Sequence, residues 1–145
     1  MPAGPTPFGF AYFAGVKFAG YTCAAWALNR TYRSNENSIW KVGGARTALG
    51  LAAGAAYGGL FFLMVNRLHL LNDSDYTGVL YLGGLIPIRL LEWSLLIWYF
   101  YQRGSPNRVL LLLLRNSTLG IIWSFVLDAI GIYAVFVTPG GAWIC

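Results

Sequence analysis

Charged side chains are scarce in this sequence. They make up 10% of its 145 residues, whereas 57% are hydrophobic. Soluble domains carry about 25% charged residues, so this chain has too little polar surface to cover itself in water. Aromatic residues are abundant instead, at 17%, and Trp and Tyr are enriched at membrane–water interfaces. The composition therefore excludes an ordinary soluble domain. It predicts an all-α, polytopic membrane protein of a bacterial inner membrane or an equivalent one.

Cysteine and histidine are also rare, with two Cys and one His in the chain. Cys23 and Cys145 lie far apart in sequence, so no disulfide framework is indicated. A single histidine excludes a bis-histidine haem and the usual His-rich metal centres. His69, Asp73 and Asp75 are possible metal ligands on one loop, but without a second His or Cys they make a poor site. The sequence indicates no metal, no cofactor and no catalytic set of residues.

The chain also lacks any polar segment long enough to fold as a separate domain. Four apolar segments dominate it, at about 8–28, 42–66, 77–101 and 109–137, and a transmembrane helix needs about 20 residues. No basic segment precedes the first of them, so we expect a retained helix rather than a cleaved signal peptide. Residues 1–145 are therefore expected to form one transmembrane domain, a bundle of four helices.

Basic residues concentrate in or beside the first and third of the three loops that join these segments. The second loop has only Arg67, so the positive-inside rule places loops one and three in the cytoplasm and both termini on the non-cytoplasmic side. We expect the basic loops to face anionic lipid headgroups. Because the basic residues are not clustered on one exposed face, no nucleic-acid partner is indicated. Seven basic residues lie in or beside loops one and three: Arg30, Arg33, Lys41, Arg46, Arg103, Arg108 and Arg115.

A glycine repeat occupies the second apolar segment. Gly50, Gly54 and Gly58 are each four residues apart, which places them on one face of a helix. A flat glycine face lets another helix backbone approach closely within a membrane. The repeat therefore predicts tight helix packing, and the partner helix can belong to the same chain or to another copy.

Four charged residues fall inside the predicted spans: Lys17, Arg89, Glu92 and Asp128. At 1.5 Å per residue, all lie within about two helical turns of the membrane midplane. A charge at that depth costs at least about 2.5–3.5 kcal/mol by insertion scales, so it must be paired, hydrated or functional. Two cations and two anions sum to zero, which predicts a compensated network. Arg89 should contact Glu92 or Asp128, and neither carboxylate should face lipid.

Three functions fit this pattern. The first is a non-enzymatic membrane protein that acts through helix packing, as a homo-oligomer or as a small subunit of a complex with other membrane chains. The second is a small transporter or channel, with the charged network as the pathway for an ion, a proton or a substrate. The third is a membrane enzyme acting on a lipid-soluble substrate. The network can also serve only to fix the register of the helices.

Overall fold

The computed structural model describes residues 7–34, 37–68, 74–102 and 110–137, and all regular structure in these residues is helical. The elements are α1 (Pro7–Tyr32), α2 (Ile39–Leu68), α3 (Ser74–Ile97) and α4 (Leu110–Val137), with a π-helical turn (Trp98–Gln102) directly after α3. Three stretches are long and apolar enough to cross a membrane: Ile39–Arg67, Gly78–Gln102 and Leu110–Gly131. The all-helical prediction is confirmed, as is the presence of membrane-compatible helices.

The turn between α1 and α2 is shorter than the sequence predicts. At the end of α1, Ser34 N–H donates to Asn29 O at 3.0 Å and Arg33 has a φ of 51°, which together form a Schellman-type cap. Val42 N–H donates to Ser38 O at 3.1 Å as α2 begins. Arg30 and Lys41 consequently lie in helical turns instead of a loop.

The four helices run up and down in sequence order. α1 packs against α2 and α4, and α3 packs against the same two helices. Lys17, in the first half of α1, contacts Asp128, in the second half of α4. Near the opposite ends of these helices, the side-chain amide of Asn116 donates to the hydroxyl of Tyr32 at 3.0 Å. The ends of α1 and α3 and the starts of α2 and α4 therefore lie together.

The distribution of polar and apolar side chains is the reverse of that in a soluble protein. Among the described residues, eleven buried side chains are polar or charged and ten are hydrophobic. Lipid can cover an apolar exterior, whereas water cannot, so this surface suits a membrane. The large apolar side chains that point outward include Leu60, Phe62, Leu63, Met64, Val79, Leu91, Leu95, Leu110, Leu111, Leu119 and Ile122.

The glycine repeat of α2 faces the interior of this chain. Gly54 is buried, Gly50 and Gly54 line an interior cavity, and a Cβ on Gly58 would lie 3.7 Å from the hydroxyl of Tyr81 in α3. The closest backbone approach lies outside the repeat. A Cβ on Gly43 would lie 3.0 Å from the backbone N and Cα of Thr22, so α1 and α2 are in contact there. A search for glycines four residues apart does not reveal Gly43.

Candidate functional site

Five charged side chains meet inside the bundle, and every helix contributes at least one. Their exposed fractions are all 7% or less. We call this set the charge cluster: Lys17 from α1, Arg46 from α2, Arg89 and Glu92 from α3, and Asp128 from α4.

Asp128 is the centre of one half of the charge cluster. Its Oδ1 lies 2.8 Å from Lys17 Nζ, and its Oδ2 contacts Arg89 Nη2. Each cation also lies over an aromatic ring, with Lys17 4.6 Å from the centroid of Phe13 and Arg89 4.4 Å from that of Phe125. Of the two carboxylates that the sequence offered to Arg89, the structure brings Asp128 into contact with it.

Arg46 and Glu92 form the other half, with Arg46 Nη2 2.7 Å from Glu92 Oε2. The Arg46 guanidinium lies against two rings that pack edge-to-face on each other, 4.8 Å from the centroid of Tyr21 and 4.9 Å from that of Trp93. Both rings are fixed from α4, because Tyr21 OH and Trp93 Nε1 donate to Ser124 Oγ at 3.3 and 3.0 Å. Arg46 is thus held by one partner from α1 and two from α3.

The position of Arg46 corrects the sequence analysis, which grouped it with the basic residues of the cytoplasmic loops. It is 2% exposed, because α2 begins at Ile39 and carries it two turns into the helix. With Arg46 included, the charge cluster holds three cations and two carboxylates, so its formal charge is +1 and not zero. One signal was overlooked: Arg46 precedes Gly50 by four residues and therefore shares the face of the glycine repeat.

A small cavity lies inside the charge cluster. Its volume is about 10 Å³, and Lys17, Arg46, Arg89, Glu92, Gly50 and Gly54 contribute to its wall. Within the described part of the chain, Arg46 Nε and Nη1 are buried without a hydrogen-bond partner. A Cβ on Gly50 would lie 2.9 Å from Nη1, so this nitrogen occupies the space that the glycine leaves open. A cavity of roughly 10–15 Å³ accommodates about one water molecule.

A hydrogen-bonded layer closes the bundle between the charge cluster and the first loop. Tyr101 OH donates to Asn29 Oδ1 at 2.6 Å, and the amide of Asn29 donates to Asn37 O at 2.7 Å. Asn37 in turn donates to Phe100 O, in the π-helical turn, at 2.5 Å. Tyr32 stacks on Tyr101 with centroids 5.1 Å apart. A π-helical turn often marks a functional site, and here its carbonyl anchors the first loop.

A second and larger space lies between α1 and α4, which we call the α1–α4 groove. Its volume is about 750 Å³. It is bounded at one end by Trp123, whose Nε1 donates to Gly20 O at 2.9 Å, and at the other by the contact of Asn116 with Tyr32. Trp93 forms its inner wall, and several of its other lining residues are exposed at the surface of the bundle.

The remaining basic residues lie outside the charge cluster. Four of them are exposed near the first-loop end of the bundle: Arg30, Arg33, Lys41 and Arg115. Arg103 and Arg108 lie outside the described residues, as do His69 and Asp73 of the weak metal-ligand set.

No protein-family model, curated protein sequence or solved structure matches this chain. Its chemistry therefore has to follow from its own geometry. Within the charge cluster, three buried cations are paired with two buried carboxylates, so one positive charge has no carboxylate of its own.

Proposed function

We propose that this chain is a four-span integral membrane protein that binds a small inorganic anion of halide size in the charge cluster and carries it across the membrane. In this proposal α1 is the fourth span, since its 26 residues extend about 39 Å at 1.5 Å per residue. The exposed basic residues Arg30, Arg33, Lys41 and Arg115 lie toward the cytoplasm, and both termini lie on the opposite side.

The unpartnered N–H groups of Arg46 carry this proposal. A buried donor without a partner costs about 1–3 kcal/mol, and within a membrane the acceptor has to be held inside the bundle. A network that only fixed helix register would be expected to satisfy its donors. An anion in the 10 Å³ cavity would accept from Arg46 Nε and Nη1 and would neutralise the formal charge of the charge cluster.

The two carboxylates make release of such an anion feasible. Conduction requires a site that binds strongly enough to admit an ion and weakly enough to let it leave. Glu92 and Asp128 already engage Arg46, Lys17 and Arg89, so an anion would meet only a partly compensated positive charge. Three cations with no carboxylates beside them would instead bind the anion too strongly to release it.

The backbone of α3 supports movement at this level. Pro87 lies inside the helix, where it removes one backbone hydrogen bond. The π-helical turn Trp98–Gln102 ends the same helix. Arg89 and Glu92 lie on the helix segment between Pro87 and the π-helical turn. A change in the orientation of this segment would alter access to the cavity.

Association of several copies of the chain through the glycine repeat stays a prediction. The contacts of the three glycines within the chain do not favour it. Gly50 and Gly54 line the interior cavity and Gly58 lies near Tyr81, so this face already has a partner within the chain. The enzyme hypothesis also stays a prediction, since no reacting group has been assigned to it.

Chloride efflux from liposomes tests the proposal. We expect liposomes that contain the reconstituted protein to release chloride faster than protein-free liposomes do. Gly50→Ala should abolish the difference, because its Cβ would lie 2.9 Å from Arg46 Nη1 and would push the guanidinium out of its present position in the cavity wall. Gly59→Ala on the same helix is the matched control, since a Cβ there meets nothing within 4 Å. Efflux equal to that of empty liposomes, or efflux unchanged in Gly50→Ala, would overturn the proposal.

A chloride-dependent melting temperature provides a second readout in detergent. Ligand that binds only the folded state stabilises it by mass action. Replacing gluconate by chloride should therefore raise the melting temperature of the native protein and of Gly59→Ala, but not that of Gly50→Ala. An identical response of all three proteins would show that the cavity holds no anion.

A further inference from the structure

The α1–α4 groove has the dimensions of a ligand site on the outer face of the bundle. Binding sites for small molecules usually enclose about 300–1,000 Å³, and this groove has a volume of about 750 Å³. Its inner wall is the ring of Trp93, which is 2% exposed. Its outer edges are two exposed tryptophans, Trp26 of α1 and Trp123 of α4.

The chemistry of the wall changes along the length of the groove. Over most of it the lining is apolar and includes Leu28, Leu119 and Ile122. Thr31 and Asn116 line its first-loop end, where the headgroup region would lie if α1 and α4 cross the membrane. An apolar channel with a polar end has the polarity of a phospholipid, with its acyl chain inside the bilayer and its headgroup at the interface.

Each polar residue at this end is preceded in sequence by an arginine. Arg30 precedes Thr31 on α1, and Arg115 precedes Asn116 on α4; both are exposed. The Arg30 guanidinium lies 5.8 Å from the ring of Trp26, a residue of the groove itself. Arginine presents a planar set of donors that matches the oxygens of a phosphate.

We infer that the α1–α4 groove binds one anionic phospholipid, with an acyl chain between Trp26 and Trp123 and its phosphate between Arg30 and Arg115. A transmembrane helix in the same place would have to bring acidic side chains to both arginines. A phosphatidylglycerol headgroup supplies negative charge at that depth without such a requirement. This site lies on the other side of Trp93 from the charge cluster, and the inference does not depend on anion transport.

Native mass spectrometry of the detergent-solubilised protein tests the inference. The protein is titrated with phosphatidylglycerol or with phosphatidylcholine of identical acyl chains, and one tightly held phosphatidylglycerol is expected. The double variant Arg30→Gln/Arg115→Gln should weaken that binding by about 30-fold, from about 1 kcal/mol for each basic residue near an anionic lipid. Arg67→Gln, which changes an exposed arginine at the opposite end, is the matched control and should bind like the native protein.

A second variant tests the apolar part of the groove. Ala27 lines the groove and is exposed, so Ala27→Phe should displace the acyl chain and lower the retention of both lipids while the melting temperature stays near that of the native protein. Equal binding of the two lipids, unaffected by the arginine substitutions, would overturn the inference. A dimer that disappears in Ala27→Phe would also overturn it, because the occupant would then be a second copy of the chain.

Discussion

The two cavities of this bundle differ in size, polarity and construction. The one within the charge cluster measures about 10 Å³, and four of its nine lining residues are charged. The α1–α4 groove measures about 750 Å³, and its lining is mostly aromatic and aliphatic with no charged residue. A membrane accounts for the difference, since lipid can fill an open apolar space, but an unpaired charge must be enclosed with a counter-charge. The first space would therefore offer a ligand mainly charged groups, and the second mainly apolar ones.

Removal of a carboxylate from the charge cluster should produce the largest effect. Glu92→Gln leaves the buried guanidinium of Arg46 without the carboxylate charge that lies 2.7 Å from it, and the formal charge of the charge cluster rises by one. Breaking a buried ion pair in this way costs about 3–5 kcal/mol of unfolding free energy. Denaturation in mixed micelles measures the loss.

The double variant Arg46→Met/Glu92→Met is the control for that experiment. Replacing both members of a buried pair by apolar side chains is often neutral or stabilising, so most of the lost stability should return. If the double variant were as unstable as Glu92→Gln, the loss would not come from an uncompensated charge.

Four members of the charge cluster could be predicted from sequence, because each is a charged residue inside an apolar run of about 20 residues, a pattern that predicts a membrane span. Which cation pairs with which carboxylate could not be predicted, since it depends on the rotation of each helix about its axis. Lys17 and Asp128 are 111 residues apart in sequence, yet lie 2.8 Å from each other. Arg46 was missed because α2 was expected to begin at residue 42, three residues after its observed start.

The α1–α4 groove was beyond sequence-based prediction for a related reason. Its wall combines residues from α1, α2, α3 and α4, and in sequence Cys23 or Trp123 resembles any other lipid-facing residue. A space between helices depends on where they approach each other, and large side chains such as Trp93 decide that separation. Glycine spacing alone did not identify the approach at Gly43.

Gly43→Ala should have the second-largest effect, at the contact between α1 and α2. A Cβ there would lie 2.5 Å from Thr22 Oγ1 and 3.0 Å from its backbone, so α1 and α2 must separate. Overpacking of this kind costs about 1–3 kcal/mol, measured by the same micellar denaturation. Gly44→Ala is the matched control, since the nearest atom lies 3.7 Å away on Phe18. Equal stability of the two variants would mean that the α1–α2 interface accommodates an added methyl group at Gly43 as easily as at the less crowded Gly44.

Trp123→Phe should have the smallest effect and tests how the end of the α1–α4 groove is held. The substitution keeps an aromatic ring but removes the Nε1–H that donates to Gly20 O at 2.9 Å. Interhelical hydrogen bonds within membranes contribute about 0.6 kcal/mol on average, so the loss of unfolding free energy should be of that order. Trp26→Phe, which changes the opposite edge of the groove, is the comparison. A loss above about 2 kcal/mol would exceed the value of one such bond and would show that the packing of the Trp123 ring also holds α4 to α1.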